Sequence, residues 1–369
     1  MCRRVQCSAL FFLLVGEGRW SILVVMSELA LYRKYRPQSF KEVLGQEHIV
    51  DALEGAISLG RVAHAYLFCG SRGTGKTSVA RILAKTLGTS ESDLYEIDAA
   101  SNRGIDDIRL LRDGVSAVPF ESKYKIYIID EVHMLTKEAF NALLKTLEEP
   151  PSHTIFILAT TELEKVPDTI VSRCQTFNFK KPSQRILKEA SERISKKEGF
   201  SIEAPAAELV ALLADGSYRD AQGILQKAMG ASTDKKITLA EVERITGSPK
   251  GALVNSLIEA LEKKDASSGL SAIAKAVEQN VDMKVFMNLL LARLRFVLLL
   301  RNAPDMEKGI REEVSAEDFE FLKRSASSKE SRITSALLLE FLNVYDLIGY
   351  SALPHLPLEL AVIKLTNHP

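Results

Sequence analysis

A glycine-rich segment at residues 70–77 constrains the fold more than any other part of this sequence. It reads Gly-Ser-Arg-Gly-Thr-Gly-Lys-Thr, and it lies between the apolar run Ala65–Cys69 and a run with helical spacing, Ser78–Leu87. A strand, this loop and a helix in succession predict a phosphate-binding loop. Its glycines let successive backbone N–H groups turn inward, and the helix N-terminus adds partial positive charge where a polyphosphate binds.

All eight residues of this P-loop are candidates for binding a nucleoside triphosphate. They are Gly70, Ser71, Arg72, Gly73, Thr74, Gly75, Lys76 and Thr77. We expect Lys76 to reach the β- and γ-phosphates and the Thr77 hydroxyl to coordinate Mg²⁺.

A second motif, at residues 125–131, indicates hydrolysis of the bound nucleotide. Lys125–Ile129 is typical of a buried strand, and Asp130 and Glu131 follow it directly. An Asp at such a strand tip is placed to hold Mg²⁺ through water, and the adjacent Glu is a candidate base that deprotonates the attacking water. After an arbitrary strand, an acidic pair is usually a solvent-exposed pair with no catalytic role. Downstream of a P-loop, the catalytic interpretation is favoured.

The composition limits which classes of protein this chain can belong to. The 369 residues are enough for two or three domains, and 46% hydrophobic with 26% charged residues is ordinary for a globular protein. Lys+Arg and Asp+Glu are both 48, so the chain has no overall field that attracts nucleic acid. The four cysteines (Cys2, Cys7, Cys69 and Cys174) form no C-x-x-C pair, and we expect reduced thiols in a cytoplasmic protein.

The amino terminus resembles part of a signal peptide. Arg3 and Arg4 precede the apolar run Ala9–Val15, but this run is too short to span a bilayer and no clear small-residue cleavage site follows. We expect residues 1–26 to be a non-native or disordered extension, with Met26 as the alternative start of synthesis. Export is the competing interpretation.

The order of strand-like and helical runs predicts three domains. Over residues 27–181 the two alternate, which predicts a five-stranded parallel sheet with helices on both faces, an α/β fold. The strand-like runs are 65–69, 94–97, 125–129, 154–159 and 176–179. Beyond them the strand pattern stops: residues 182–248 predict a small helical lid domain, and residues 249–369 an all-α domain. The apolar helix at 285–300 is expected to be buried or to contact other subunits, not to span a membrane.

Two arginines have suggestive settings. Arg173 falls between the fourth and fifth predicted strands, near an edge from which an arginine can reach a neighbouring subunit's site, an effect worth ~10³–10⁵ in rate. Arg219 starts a helix of the lid, where it could contact the γ-phosphate. Either residue alone would be an ordinary surface arginine. Their order behind the two phosphate motifs favours a function.

Taken with these motifs, the sequence resembles the γ/τ subunits of bacterial DNA polymerase III, which are the ATPases of the sliding-clamp loader and belong to the AAA+ superfamily. The resemblance is dense from about residue 31 to about 182 and thin beyond about 250. Besides the two phosphate motifs, it is carried by Tyr32–Pro37, Val43–Gln46, His64–Phe68, Glu96–Ser101, Asn141–Pro151, Ala159–Thr161 and Ser172–Cys174.

The resemblance implies a role for each matching residue. The catalytic residues would be Lys76, Asp130, Glu131, Thr161, Arg173 and Arg219, and the Mg²⁺ ligands Thr77 and Asp130. Thr161, in preference to Thr160, fits the first sensor position, which helps to place the attacking water. Arg173 fits the finger that acts on a neighbouring subunit, and Arg219 fits the second sensor.

Two further sets of residues are matched less specifically. Tyr35, Pro37 and Val43 correspond to residues that line the adenine pocket in this family, although simple packing also explains such residues. Asn102 and Arg103 open a helix after Ser101 and correspond to positions that face the DNA backbone. A helix N-cap role for Ser101 or Asn102 is the alternative.

The sequence departs from the family pattern at two places. The family carries a four-cysteine zinc module after the P-loop helix, but the corresponding segment Ala84–Leu94 contains no cysteine, so we expect no zinc. The chain also stops at Pro369 without the long extension of the τ form, so a γ-length product is expected.

The resemblance predicts a motor that uses ATP and Mg²⁺ to load the sliding clamp onto primer–template DNA. Its partners would be other clamp-loader subunits in a pentamer-like ring, held together by the collar of residues 249–369, with no membrane. Polymerisation itself is not expected on this chain. One alternative is a non-hydrolysing scaffold subunit, although such subunits lose the P-loop lysine or the acidic pair. Another is a different AAA+ motor, such as a branch-migration helicase, which the segments 32–37 and 141–151 disfavour.

Overall fold

Strands and helices alternate in the first half of the chain, and helices dominate the second half. The computed structural model describes residues 10–15, 19–24, 29–102, 104–249, 251–314, 316–328 and 332–367. The strands are β1 Leu10–Val15, β2 Arg19–Val24, β3 Ala65–Cys69, β4 Leu94–Asp98, β5 Lys125–Asp130, β6 Thr154–Thr160, β7 Gln175–Asn178, β8 Ser201–Ile202 and β9 Lys236–Ile237. The helices are α1 Leu31–Lys34, α2 Glu47–Ser58, α3 Lys76–Thr86, α4 Ile105–Val115, α5 Lys137–Glu148, α6 Asp168–Val171, α7 Gln184–Lys197, α8 Ala204–Leu213, α9 Tyr218–Ala231, α10 Leu239–Thr246, α11 Gly251–Lys263, α12 Ala266–Glu278, α13 Met283–Asn302, α14 Glu307–Glu313, α15 Ala316–Ser327, α16 Ser335–Ile348 and α17 Leu356–Asn367.

The expected five-stranded parallel sheet is confirmed, in the order β4-β5-β6-β3-β7. Strand β6 therefore lies between the P-loop strand β3 and the acidic strand β5. The register pairs Cys69 with Thr160 and Ile129 with Leu158. Because the strands are parallel, the residues that follow their carboxyl ends meet along one edge of the sheet. Separately, β1 pairs with β2 in a two-stranded antiparallel sheet, and the assignment of residues 1–26 to an extension stays a prediction.

Helices cover both faces of the parallel sheet. Successive residues of a strand point to opposite faces, so Leu67 and Phe68, both fully buried, belong to different hydrophobic clusters. Phe68 packs with α2 and α3 through residues such as Leu83, and Leu67 packs with α4 and α5 through residues such as Leu143. Each fully buried side chain of this kind contributes about 1.5–3 kcal/mol. The two clusters hold the strand ends of the site rigidly.

The lid helices α7–α10 enclose their own cluster, which includes Leu187, Val210 and Leu225. Leu31 of α1 packs into this cluster, and its N–H donates to Gln226 Oε1 at 3.1 Å. Helix α1 thus packs with the lid, although it was expected to belong to the sheet domain. The expectation that strands stop after residue 182 is wrong, because β8 and β9 form a short parallel pair.

Helices α11–α17 surround a fourth cluster, which includes Phe286, Leu290 and Phe341. The apolar helix expected at 285–300 is α13, and it lies inside this bundle. Its Arg293 is mostly buried and pairs with Asp318 at 2.7 Å, which accounts for an arginine within an apolar helix. Within the described residues, no helix is long and apolar enough to cross a membrane.

One buried carboxylate organises the loop before β5. Asp93 is 1% exposed and accepts hydrogen bonds from the N–H groups of Phe120, Glu121 and Ser122 at 2.6, 2.9 and 2.8 Å. Burial by itself raises the pKa of Asp93, but these hydrogen bonds together outweigh it and hold the pKa well below its usual range. The ionised form of Asp93 therefore stabilises the fold.

Replacing Asp93→Asn should reduce the free energy of unfolding at pH 7 by about 2 kcal/mol, because hydrogen bonds to a charged acceptor are lost. The folded pKa is depressed, so the stabilisation is complete above the unfolded pKa of about 4 and fades as the pH falls below it. Denaturant unfolding from about pH 7 to about pH 3 measures this difference. Asp113→Asn, which alters an exposed carboxylate, is the control. A deficit that is the same at both ends of the range would contradict the assignment.

Candidate active site

The P-loop joins the end of β3 to the start of α3 in the conformation that its glycines allow. Gly73 and Gly75 have φ angles of +76° and +104°, in the left-handed region that favours glycine. Gly75 is the N-cap of α3, and no side chain caps this helix end. The N–H groups of the first turn are therefore left available to an anionic ligand, and the helix dipole favours one there.

Lys76 is the buried cation of the site, with 6% of its surface exposed. Its Nζ donates to the carbonyl oxygens of Gly70 at 2.7 Å and Ser71 at 3.0 Å. Burial lowers the pKa of Lys76, and the nearby carboxylates of Glu131 and Asp130 partly oppose this. The fold thus brings the P-loop lysine and the acidic pair, 54 and 55 residues apart in sequence, into one site.

The first turn of α3 meets the tip of β5 through a hydrogen bond. Thr77 Oγ1 donates to Asp130 Oδ2 at 2.8 Å. A hydroxyl and a carboxylate oxygen at this separation are ligands of the kind that Mg²⁺ prefers. The two residues expected to hold the metal are therefore adjacent.

Glu131 is held in an uncommon backbone conformation. Its φ angle is +49°, which is unfavourable for a residue with a β-carbon, and such strain concentrates at functional sites. Thr161 Oγ1 donates to Glu131 Oε2 at 3.0 Å. Thr160 is fully buried and instead donates to the carbonyl of Glu162 at 3.1 Å. Of the two threonines, Thr161 is thus the one that contacts the acidic residue.

His133 is a site residue that was given no role on sequence grounds. Its side chain is 6% exposed, with Nδ1 at 3.1 Å from Thr160 Oγ1 and at 3.5 Å from Glu131 Oε2. Its Nε2 lies 3.2 Å from Glu162 Oε1. The signal available in the sequence was a polar ring two residues after Glu131, within an otherwise apolar stretch.

The lid touches the P-loop directly, through residues that were likewise not expected from the sequence. At the start of α9, the Tyr218 N–H donates to the Gly73 carbonyl at 3.0 Å. The Tyr218 hydroxyl donates to the Leu44 carbonyl at 2.8 Å. A Cβ atom on Gly73 would lie 2.0 Å from Ser217 Oγ, so only glycine fits there.

With this geometry in place, comparison with known proteins decides the family. A family profile described as "DNA polymerase III, delta subunit" matches residues 88–183. The DNA polymerase III subunit tau of Bacillus subtilis is 38% identical over 93% of this chain, and the gamma subunit of Buchnera aphidicola is 37% identical, with 76% of this chain matched to 82% of that protein. The chain belongs to the DNA polymerase III gamma/tau family.

Relatives of the gamma/tau family differ in length. The chain spans 64% of the Bacillus subtilis protein and 52% of the gamma/tau subunit of Mycobacterium bovis, to which it is 40% identical. Among solved structures, the RuvB Holliday junction branch migration motor of Thermotoga maritima matches with a TM-score of 0.51 and 21% identity, covering 62% of this chain and 79% of RuvB. At that identity the match concerns the fold alone, and it agrees with the AAA+ α/β architecture followed by helices.

The two arginines expected from the gamma/tau pattern contact side chains and carbonyls outside the P-loop. Arg173 follows α6, beside the edge strand β7, where it donates to Glu148 Oε1 at 2.6 Å and to the Thr169 carbonyl at 2.8 Å. Arg219 is exposed, and its guanidinium lies 4.9 Å from the ring centroid of Tyr32. Neither arrangement tests their expected roles, which stay predictions.

The residues expected to line the adenine pocket fall on two sides of a seam. Val43 packs against the cluster between the sheet and α2–α3, whereas Tyr35 packs against the lid cluster. Burial, together with a hydrogen bond to Glu198, raises the pKa of Tyr35 to about 12. Pro37, which lies between these two residues in sequence, is half-buried. Their role in binding the base stays a prediction.

The helix expected to open at Asn102 and Arg103 begins later. Helix α4 starts at Ile105, so Asn102 precedes it, and neither Ser101 nor Asn102 occupies the N-cap position. The reason is Asp98, whose carboxylate and carbonyl accept hydrogen bonds from residues 100–102 and close a turn instead. Asn102 is exposed, and Arg103 lies outside the described residues.

The residues present fit a magnesium-bound triphosphate. The uncapped N-terminus of α3, the Lys76 ammonium and the paired oxygens of Thr77 and Asp130 are the donor set that such a ligand needs. Burial raises the pKa values of the free thiols of Cys69 and Cys174 to about 11 and about 12. The absence of zinc stays a prediction.

Substituting Gly73→Ala should detach the lid from the P-loop, because the new Cβ meets Ser217 while φ is +76°. Gly88→Ala is the matched control, since Gly88 has the same φ and no atom within 4 Å of its Cβ position. We expect the control to lose about 1–2 kcal/mol from backbone strain and Gly73→Ala to lose about 1–3 kcal/mol more from overpacking. Denaturant unfolding and hydrogen exchange of the Tyr218 amide measure the two effects. Equal stability and equal Tyr218 protection in both variants would argue against this contact.

Proposed function

We propose that this chain is the ATP-hydrolysing subunit of a sliding-clamp loader in the DNA polymerase III assembly. The observation that carries the proposal is the joined geometry of Lys76, Thr77 with Asp130, and Glu131 with Thr161 at one edge of the sheet. Membership of the gamma/tau family, whose relatives are named as DNA polymerase III subunits, supplies the biological context. A non-hydrolysing scaffold is disfavoured because both phosphate motifs are intact.

Each residue of the site has a task in this mechanism. The P-loop N–H groups and Lys76 bind the triphosphate, with Lys76 exchanging the carbonyls of Gly70 and Ser71 for phosphate oxygens. Thr77 and Asp130 would hold Mg²⁺, which would neutralise negative charge on the phosphates.

Glu131 orients the attacking water and accepts its proton at a carboxylate oxygen. The Thr161 hydroxyl and the His133 ring, which contact Oε2 of this carboxylate, support that orientation. His133 acts through Glu131 and is therefore a positioning residue.

Arg173 and Arg219 extend the site beyond the sheet domain. Arg173 would act on the nucleotide of the neighbouring subunit, a role supported by its position beside the edge strand. Arg219, at the start of the lid helix that touches the P-loop, would report the γ-phosphate as lid closure. ATP binding would then close the subunits into an arc that opens the clamp, and hydrolysis would release the closed clamp on primer–template DNA.

The domain division remains part of the proposal. It assigns residues 27–181 to the ATPase domain, 182–248 to the lid and 249–369 to the collar, with α1 packed on the lid. The collar carries large exposed apolar side chains on α16, α17 and the segment between them, which suits contact with other subunits. They include Leu339, Leu342, Leu347, Tyr350, Leu353 and Leu360. Asn102 and Arg103 remain the candidates for contact with DNA, which would be to the phosphate backbone.

The test of this function is the stimulation of ATP hydrolysis by DNA substrates. In the assembled complex, hydrolysis should rise with sliding clamp plus primed DNA and should not respond to a four-way junction. The measurement with the four-way junction tests the alternative of a branch-migration motor, because the fold is similar to that of RuvB. Lys76→Ala should abolish both basal and stimulated hydrolysis. Stimulation by the junction in preference to clamp and primed DNA would refute the proposal.

Arg173→Ala should leave ATP binding intact but lower the stimulated turnover of the assembled complex by ~10³-fold or more, since the finger stabilises transition-state charge. Glu148→Ala is the control, because it removes the partner of Arg173 within the chain and keeps the guanidinium. The control should turn over ATP at close to the unaltered rate. Wild-type turnover by Arg173→Ala in the full assembly would exclude the finger role.

A further inference from the structure

Tyr218 connects three parts of the molecule that are distant in sequence. Its backbone N–H binds the Gly73 carbonyl of the P-loop at 3.0 Å, and its side-chain hydroxyl binds the Leu44 carbonyl at 2.8 Å. The residue itself is the first of lid helix α9. One residue therefore joins the phosphate loop to the segment 43–45, through its backbone on one side and its side chain on the other.

The second contact is well suited to fix a turn. Gly45 has a φ angle of +70°, and a Cβ atom there would lie 3.1 Å from Ile186 of the lid and 3.6 Å from the Tyr218 hydroxyl. The turn thus fits closely between the lid helices. Burial, with a further contribution from the Glu47 carboxylate, raises the pKa of Tyr218, so the phenol stays protonated and donates its hydrogen bond.

The segment 43–45 has no comparable tie to the P-loop through its own side chains. Val43 packs against the sheet-side cluster, and its N–H binds the Phe40 carbonyl at 3.1 Å. The carbonyl of Leu44 is held by Tyr218 from the lid. On the sheet side the next residue, Gln46, exchanges two hydrogen bonds with the backbone of Lys180, at 2.7 and 3.1 Å. Tyr218 supplies the tie from the lid side, and it is the residue that also bonds to the P-loop.

We propose that Tyr218 is a positioning residue that aligns the base-binding segment 43–45 with the P-loop, and so matches the site to a nucleotide that carries both a base and a phosphate chain. This inference rests on the proposed function, because it takes Val43 to line the adenine pocket. A ligand that bridges both segments needs them at the correct separation. A ligand that consists of phosphates alone needs only the P-loop.

The test is Tyr218→Phe in the full chain, which deletes the hydroxyl and keeps the ring and the backbone N–H. We expect KM for Mg²⁺-ATP to rise about threefold to tenfold, as for loss of one hydrogen bond, with kcat within about twofold of wild type. The inhibition constant of magnesium tripolyphosphate should stay within about twofold, because this probe has no base.

Tyr66→Phe is the matched control. Tyr66 is a buried tyrosine whose hydroxyl accepts the Ala63 N–H at 2.9 Å within the sheet cluster. This variant should lose thermal stability to a similar degree while leaving KM and the tripolyphosphate constant unchanged.

The possible results distinguish failure of this inference from failure of the proposed function. Equal weakening of ATP and tripolyphosphate would assign Tyr218 to the phosphates and overturn the inference, as would an unchanged KM or a fall in kcat alone. If the unaltered chain neither binds nor hydrolyses ATP, the proposed function fails and the inference falls with it. A raised KM with unchanged tripolyphosphate inhibition supports both.

Discussion

The common direction of the five central strands is the constraint on which the site depends. Parallel strands deliver their carboxyl ends to one edge, and the order of the sheet places β6 between the P-loop strand and the acidic strand. Thr161 therefore follows a strand flanked by both phosphate motifs, and its hydroxyl reaches Glu131. The buried clusters on the two faces keep these strand ends at fixed separations, so contacts such as that between Thr77 and Asp130 require no further rearrangement of the backbone.

The seam between the sheet and the lid is the second determinant of the site. It includes Gly73, which faces Ser217, and Tyr218, which donates hydrogen bonds to the carbonyls of Gly73 and Leu44. Because Arg219 follows Tyr218 directly, the same contacts fix the backbone from which its guanidinium extends.

Much of the architecture could be predicted because local pattern decides it. The runs around Leu67 and Ile128 are apolar and β-rich, so they are buried strands in any compact arrangement, and all five strands lie within a residue or two of their expected bounds. The helix expected directly after Ser101 starts later, at Ile105, for a local reason of another kind. Asp98 offers the backbone a turn that competes with the helix, and sequence periodicity does not register that competition.

By itself, the sequence determined the chemistry available to this chain: a P-loop with its lysine, an acidic pair after a strand, and an apolar pattern that specifies a parallel sheet followed by helical bundles. Only the tertiary structure decided which groups meet. The contact of His133 with Thr160, the docking of Tyr218 on Gly73 and Leu44, and the packing of α1 on the lid join residues between 27 and 195 positions apart. Contacts of this range depend on how whole layers pack, and no local spacing in the chain encodes that arrangement.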